Sequence, residues 1–516
     1  MKLFLVYVRD EDFYSPLPEA AGASPKKNGR VKVMAFPPIG IETLAPVIRQ
    51  RGHVVRMFDT CHPQMKEEHI ARALREERPD AVAISFLSTT SYPAAKSMAR
   101  TLKQAEPGIP TIFGGVFATM NPKQVMKDCP HADFLGVGDG ELLIPDFLDH
   151  LDSPGEVLGL VWRNGDEIVA NPPRPLLLDL DQFPYPDRQT LPIDYIESMP
   201  LDVPAVLSLE KFATMQTSRG CPWTCIFCDI PSLGGGRWRS RSPESVLGEM
   251  QQLQDLGYRS IYLTDDHFLL QRKRITAICE GIIERGFEFS WGCEGRVDSV
   301  AVDRLPLMAK ANCGFLAFGI ESGVQRILTR LKKDQTLEQI EHAVSAAKQH
   351  GVKTAHGFFL IGNPGETVDD ILESFRFAAR LKLDTFGFNR LCAYRGTPLW
   401  KEYIERGIID DDRDWYKWFK CSDIDPTVLP SEVVNRARRK GYALLFRYRF
   451  LRRPVSTLRV IRRFARYMRW VDVLRLLSSP FRKRKLFRKP ELPARMIDAG
   501  LGAPVRGPAS AVTSGP

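Results

Sequence analysis

The sequence predicts an α/β protein made of two successive blocks of βα units with a basic α-helical region behind them. Three observations carry this. Short apolar runs alternate with amphipathic stretches over residues 1–150. The same rhythm returns, with longer units, over residues 206–425. Arginine-rich helical patterns then fill residues 431–490. The 516 residues suit about three domains. A composition of 44% hydrophobic and 26% charged residues excludes collagen-like, low-complexity and disulfide-scaffold classes.

In the first block, 1–150, the expected strands are Lys2–Val8, Val55–Phe58, Ala81–Phe86, Thr111–Phe113 and Phe134–Val137, with helices such as Lys66–Arg78 and Tyr92–Gln104 between them. Small residues gather at the strands' C-terminal ends: Ser85, Ser88 and Thr89, then Gly114 and Gly115, then Gly136, Gly138, Gly140 and Glu141. That edge of an open α/β sheet is where ligands sit. Taken alone, the glycines read more simply as tight turns.

Residues 151–205 break the rhythm with Pro154-Gly155, Asn171-Pro172-Pro173 and Pro184–Asp187. They read as a connector holding one hairpin, Leu160–Trp162 with Glu167–Ala170, around Asn164-Gly165.

In the third segment, 206–425, strands are expected at Phe212–Gln216, Ser260–Leu263, Glu288–Cys293, Phe315–Gly319, Thr354–Ile361 and Thr385–Phe388. Helices are expected at Pro243–Asp255, Arg272–Arg285, Leu337–His350 and Thr367–Leu381. Six such units predict a complete or partial barrel with its site at the strands' C-terminal ends.

The charge is segregated. Residues 431–490 hold 20 Lys and Arg against Glu432 and Asp472, a balance of +18, which leaves −8 for the rest of a chain whose total is +10. The basic groups Arg436–Lys440, Arg447–Arg453, Arg459–Arg469 and Arg482–Lys489 are interleaved with aromatic and aliphatic residues. A basic helical region over 426–499 suits an anionic membrane surface or a cap folded on the acidic remainder. Nucleic acid is disfavoured, because no binding module is recognisable. Residues 500–516 read as a disordered tail.

No window reaches the ~18 apolar residues of a membrane span, and the run Leu3–Val8 ends in an acidic flank unlike a secretory signal. A cytoplasmic, reducing location is therefore expected, and the ten cysteines are then a question about metal.

Three of them form Cys221-x3-Cys225-x2-Cys228, directly after the first barrel strand. Thiolates are the ligands of iron–sulfur clusters, and three of them leave one iron of a [4Fe–4S] cube open for substrate. A zinc site would need a fourth ligand at close spacing, and none is near; buried structural cysteines are the remaining alternative. Cys61, Cys129, Cys279, Cys293, Cys313, Cys392 and Cys421 show no second cluster spacing and read as small buried hydrophobes.

Gly220-Cys221-x3-Cys225-Ile226-Phe227-Cys228 resembles the signature of the radical S-adenosylmethionine (SAM) superfamily. The resemblance continues through Tyr262–Phe268, Gly295-Arg296-Val297-Asp298, Phe318–Gly323, Phe359–Thr367 and Arg395–Leu399. The set is similar to the branch with an N-terminal cobalamin-binding domain, which Phe113-Gly114-Gly115 and Gly136–Glu141 also fit. It implies a Rossmann-like cobalamin-binding domain, then a radical SAM (β/α)6 partial TIM barrel, then the basic helical region.

The resemblance assigns a [4Fe–4S] cluster to Cys221, Cys225 and Cys228. It assigns SAM to Phe227, Asp265, Asp266, Arg296, Glu321, Ile361 and Gly362, and cobalamin to Ser85, Ser88, Thr89, Gly114, Gly115, Gly136, Gly138 and Glu141. Each has a plainer reading: Asp265-Asp266 as helix caps, Arg296 paired with Asp298, Glu321 as a helix-start acid. Asp59-x-Cys61-His62 lacks the spacing and glycine of a histidine-ligated cobalamin motif, so His62 reads as a loop residue.

The implied activity is C-methylation of an unactivated carbon in a small or lipid-like intermediate, through a 5′-deoxyadenosyl radical and methylcobalamin, with no general base. A flavodoxin or ferredoxin would supply the electron. The alternatives are an oxidative cyclase or hydroxylase acting on a tetrapyrrole or similar substrate, a cobalamin-binding regulator with a structural cluster, and an RNA-modifying enzyme.

Overall fold

A computed structural model describes residues 1–9, 14–16, 30–32, 37–62, 65–191, 212–299, 302–417, 419–452 and 454. The first sheet has seven strands in the spatial order Val54–Asp59, Lys2–Tyr7, Ala81–Ser85, Thr111–Gly114, Phe134–Gly136, Leu160–Asn164, Glu167–Ala170. The first five are parallel and the last two antiparallel. The strand order reverses between Lys2–Tyr7 and Ala81–Ser85, and such a switch point opens a crevice at the C-terminal edge.

The hairpin expected in the connector is present, but it extends this sheet: Leu160–Asn164 pairs with Phe134–Gly136. A helix at Ile39–Gln50 was not among those expected from the sequence, where Pro46 interrupts its pattern. It buries Ile41, Ala45 and Ile48 against the strands.

The second sheet holds six parallel strands in chain order: Phe212–Met215, Ser260–Leu263, Ser290–Gly295, Cys313–Glu321, Thr354–Ile361 and Thr385–Arg390. Among the described residues no ladder joins the last to the first, so the barrel is partial. Its helices start on the signals the sequence carries. Ser242 accepts from Ser245 N ahead of Pro243, and Thr336 and Thr367 form capping boxes with Gln339 and Asp370. Leu263, Trp291, Phe318, Phe359 and Phe375 fill the layer between strands and helices.

Of the basic region, the helix Ser431–Arg452 folds onto the helix Val368–Arg380. Gly441 permits the approach, since a Cβ there would lie 2.1 Å from the Phe375 ring. The segments Arg459–Arg469, Arg482–Lys489 and 500–516 lie outside the described residues.

The two sheets are pinned by Arg188, buried in the connector. It donates to Glu42 of the first domain at 2.6 Å, and to Glu249 at 2.9 Å and the Thr214 carbonyl at 2.7 Å in the barrel. Removing Arg188 would leave Glu42 buried without its cation.

Candidate active site where two sheet edges meet

The chain leaves the first barrel strand through Gln216-Thr217-Ser218. Asp265, at the end of the next strand, accepts from Thr217 N at 2.6 Å, Thr217 Oγ1 at 2.5 Å and Ser218 Oγ at 2.6 Å. Both carboxylate oxygens are thereby engaged in the barrel wall, so Asp265 anchors the cysteine loop. That geometry departs from a direct contact with SAM. Asp266 accepts from Gly220 N at 2.7 Å and is exposed at the mouth. Gly220 has φ +86°, and a Cβ on it would lie 2.1 Å from the Arg237 carbonyl, so only glycine fits before Cys221.

The loop is tied on its far side as well. Ile226 N donates to the Leu331 carbonyl at 3.1 Å, and Leu399 N donates to the Ile226 carbonyl at 2.9 Å. Cys225 is buried, while Cys221 and Cys228 are partly open. Burial pushes the Cys228 thiol up to about 12 and raises Cys221, and the neighbouring thiols add to both shifts. An iron cluster would reverse this by holding the sulfurs as thiolates. Among the described residues no three ligating side chains close on a single metal ion. A cube does not ask that of them, because each thiolate binds its own iron. The donor set fits a cluster.

Arg296, at the end of the third strand, donates to Cys225 Sγ at 3.3 Å and stacks over Trp223 at 4.2 Å. It also pairs with Asp298 at 2.9 and 3.0 Å, so the pairing read from the sequence is present beside the contact with Cys225. A further bond from Arg296 goes to the carbonyl of Lys333, whose Nζ holds Glu321 Oε1 at 2.8 Å. Glu321 has φ +68°, a strained conformation for a non-glycine residue at a strand end. Lys333 was missed from sequence; it lies 12 residues beyond Glu321 with no motif of its own.

Gly362, φ +80°, and Asn363 donate their N–H groups to Glu366 Oε2 at 2.6 and 2.9 Å, which shapes the turn at the fifth strand's end. The Ile361 side chain is in the layer behind the sheet, leaving only its backbone at the mouth. Phe227 is half-buried against the cluster formed with Trp400 and Leu391.

On the first sheet, Ser85 ends its strand and Ser88 organises the following loop, with Ser88 N donating to Ser91 Oγ at 2.9 Å. Gly114 closes its own strand. Gly115, φ +102°, allows the next loop to cross Phe86, whose carbonyl would be 2.3 Å from a Cβ. Gly136 packs against Leu143, and Gly138, φ +96°, is open. Glu141, expected beside cobalamin, is buried in an ion pair with Arg219, two residues before Cys221. Asp139 pairs with Arg219 at 3.0 Å and Arg239 at 2.6 Å. The acid at the helix start is thus a tie to the cysteine loop.

Ser88 and Thr89 line a cavity of about 140 Å³ together with Tyr394, Trp415, Lys417 and Asp229, the residue after Cys228. Loops that follow two strands of the first sheet therefore face the end of the cysteine loop and the segment 393–417 across one space. Its first-domain wall is the hydroxyls of Ser88 and Thr89, the amide of Asn121 and the apolar Leu87, Val116, Phe117 and Met120, all uncharged, which suits a corrin's neutral edge. His62 follows the outermost strand and is not part of this wall.

Two family models match the chain: B12 binding domain over residues 30–148 and Radical SAM superfamily over 215–378. An uncharacterized methyltransferase of Pyrococcus horikoshii is 32% identical, covering 80% of this chain and 88% of its own. The chain belongs to the cobalamin-binding radical SAM family. The anaerobic magnesium-protoporphyrin IX monomethyl ester cyclase of Rubrivivax gelatinosus is 25% identical, covering 82% of this chain and 76% of its own. Among solved structures, the radical SAM methyltransferase TsrM from Kitasatospora setae, with cobalamin and a [4Fe–4S] cluster bound, superposes with a TM-score of 0.65. It is 17% identical and covers 78% of each chain, a likeness of fold. The cofactors of this radical SAM enzyme are a [4Fe–4S] cluster, SAM and cobalamin.

Proposed function

We propose that the protein is a cobalamin-dependent radical SAM C-methyltransferase acting on an unactivated carbon of a small or lipid-like biosynthetic intermediate. The observation that carries this reading is a shared cavity: Ser88 and Thr89, in the loop after the strand Ala81–Ser85, line one space with Asp229, the residue after Cys228. The bound cofactors supply a carbon-centred radical and a methyl group. The chain's own residues do the rest. Cys221, Cys225 and Cys228 hold the cluster, Arg296 and the Glu321–Lys333 pair offer charges to the polar ends of SAM, and Gly362 leaves its backbone accessible. Asp265 and Gly220 set the loop's shape, and Arg219 binds it to the first domain. No general base is required for hydrogen abstraction from carbon.

The test is anaerobic reconstitution with iron and sulfide, a low-potential reductant, SAM and cobalamin, followed by assay of 5′-deoxyadenosine and of methylated product. Flavodoxin or ferredoxin is the reductant class this reading requires. The similarity to the ester cyclase supports a second reading, oxidative cyclisation or hydroxylation. Product mass separates the two: gain of a methylene, against loss of hydrogen or gain of oxygen.

Among the described residues no helix is long and apolar enough to cross a membrane. Contact of the basic region with an anionic membrane face is part of the proposal. It is supported by Leu444, Tyr448 and Leu451, all exposed on the same helix as Lys440 and Arg447. Sedimentation with vesicles of anionic and neutral lipid tests it: salt-sensitive binding to the anionic vesicles alone is expected.

A further inference from the structure

The barrel interior holds a second set of polar groups that the cofactors' sites do not use. Leu263, Trp291, Cys293, Phe318 and Phe359 point into the layer under the helices. Strand side chains alternate between faces, so Tyr262, Glu294, Phe315, Ala317, His356 and Phe358 turn to the interior. Their rings run on from strand to strand: Tyr262 to Phe315 at 5.8 Å, Phe315 to His356 at 6.2 Å, His356 to Phe358 at 4.5 Å. Toward the mouth the interior opens. His356 is 2% exposed, Phe358 and Leu360 are half-buried, and Asn389 is exposed.

Gly387, on the neighbouring strand, leaves the space between them clear. The atoms nearest to a Cβ built on it are His356 Nε2 at 3.8 Å, Asn389 Nδ2 at 3.9 Å and Phe358 Cδ1 at 3.9 Å. His356 Nδ1 is bonded to Thr385 Oγ1 at 2.8 Å, while its Nε2 is buried with no partner. Buried polar atoms are almost always satisfied, and one that is not asks for a ligand. The polar groups nearby are already engaged: Lys333 pairs with Glu321, and Glu294 accepts from the Tyr262 hydroxyl. Burial keeps the His356 imidazole neutral, down to about 4, and pushes the Glu294 carboxyl upward.

We propose that His356 Nε2 and Asn389, above Gly387, form a substrate subsite for an uncharged polar group — a hydroxyl, amide or carbonyl — whose apolar carrier lies against Phe315 and Phe358. An anionic group would find no free cation there among the described residues, and the one interior carboxylate open to a cationic group, Glu294, is held by the Tyr262 hydroxyl and pushed toward its neutral form by burial. This rests on the methyltransferase reading and names its substrate class.

The test uses four probes on the reconstituted holoenzyme: phenol and benzamide, which are neutral, and benzoate and benzylammonium, which are charged. Titration calorimetry is expected to show a neutral probe binding at least about tenfold more tightly than either charged one. His356→Phe should weaken it about tenfold, the loss of one hydrogen bond. His356→Gln, whose amide reaches toward the Nε2 position, should restore most of it. Should His356→Phe fail to fold, Gly387→Ala serves, because its Cβ meets only ordinary contacts and still obstructs Nε2. Absence of neutral-probe binding, equal binding of charged probes, or affinity untouched by these variants overturns the subsite. Wild-type 5′-deoxyadenosine is measured separately. If it forms while the probe pattern fails, only the subsite falls; if a loaded cluster yields none, the function reading falls whatever the probes do.

Discussion

The C-terminal edges of the two sheets are built by opposite means. The barrel edge is a network of charge: Asp265 and Asp266 hold the backbone and hydroxyls of the cysteine loop, and Arg296, Asp298, Lys333 and Glu321 form a chain from Cys225 to the fourth strand. The first-domain edge is made by leaving side chains out, with Gly115 and Gly138 in left-handed conformations and Ser88 and Thr89 at the wall. A small anionic-and-cationic cofactor bound to a cluster needs fixed charges. A large flat ring needs clearance and neutral hydrogen-bonding groups. The contrast fits the proposed placement, with the cluster and SAM at the barrel edge and cobalamin at the first-domain edge.

The largest expected effect comes from breaking the barrel edge at its metal. Cys225→Ala should abolish 5′-deoxyadenosine formation and lower iron content, measured by product assay and iron titration, while cobalamin retention stays within about twofold. Asp265→Ala comes next. It strands Thr217 N and two buried hydroxyls, and should cost about 2–4 kcal/mol of stability together with most of the cluster loading, read from thermal melts and iron content. Asp265→Asn keeps acceptors and should recover part of both.

The mirror-image test is Gly115→Ala, which drives a Cβ against the Phe86 carbonyl. Cobalamin retention should fall at least about tenfold while iron content changes little, the reverse of Cys225→Ala. Arg219→Ala cuts the tie between the edges. It should destabilise the fold by about 1–3 kcal/mol, since Glu141 is left buried without its cation. Smallest is a pH effect: His356 has its folded-state value lowered by burial from 6.5 to about 4. A depressed histidine stabilises the fold above about pH 6.5 and loses that contribution as pH falls toward 4. His356→Gln should flatten that part of the acid limb in melts taken from pH 7 to 4.

Much of this was readable in the sequence, because the barrel strands carry their own periodicity. Ser260–Leu263 and Thr354–Ile361 form where their apolar runs stand, and Pro243–Asp255 starts on its Ser-Pro cap. Pairing was less readable. Nothing local to Leu160–Asn164 says that it joins the first sheet, since its partner lies some 25 residues earlier. The site divides in the same way. Cys221, Cys225 and Cys228 announce themselves by spacing, and Arg296 and Glu321 by position at strand ends. Lys333, Arg219 and His356 do not, because their roles come from what folding brings beside them. Glu141 shows the converse: its place at a helix start was legible, but its partner, 78 residues away, was not.

The most direct test of the central claim, that both edges act on one substrate in one cavity, uses SAM carrying a deuterated methyl group. The reconstituted holoenzyme would be incubated with cell extract, with and without cobalamin, alongside Cys225→Ala, and products read by mass spectrometry. A metabolite bearing one intact deuteromethyl group, absent without cobalamin and absent in Cys225→Ala, is the predicted result. Abundant 5′-deoxyadenosine with no deuteromethyl product, or a product that has only lost hydrogen, would contradict it.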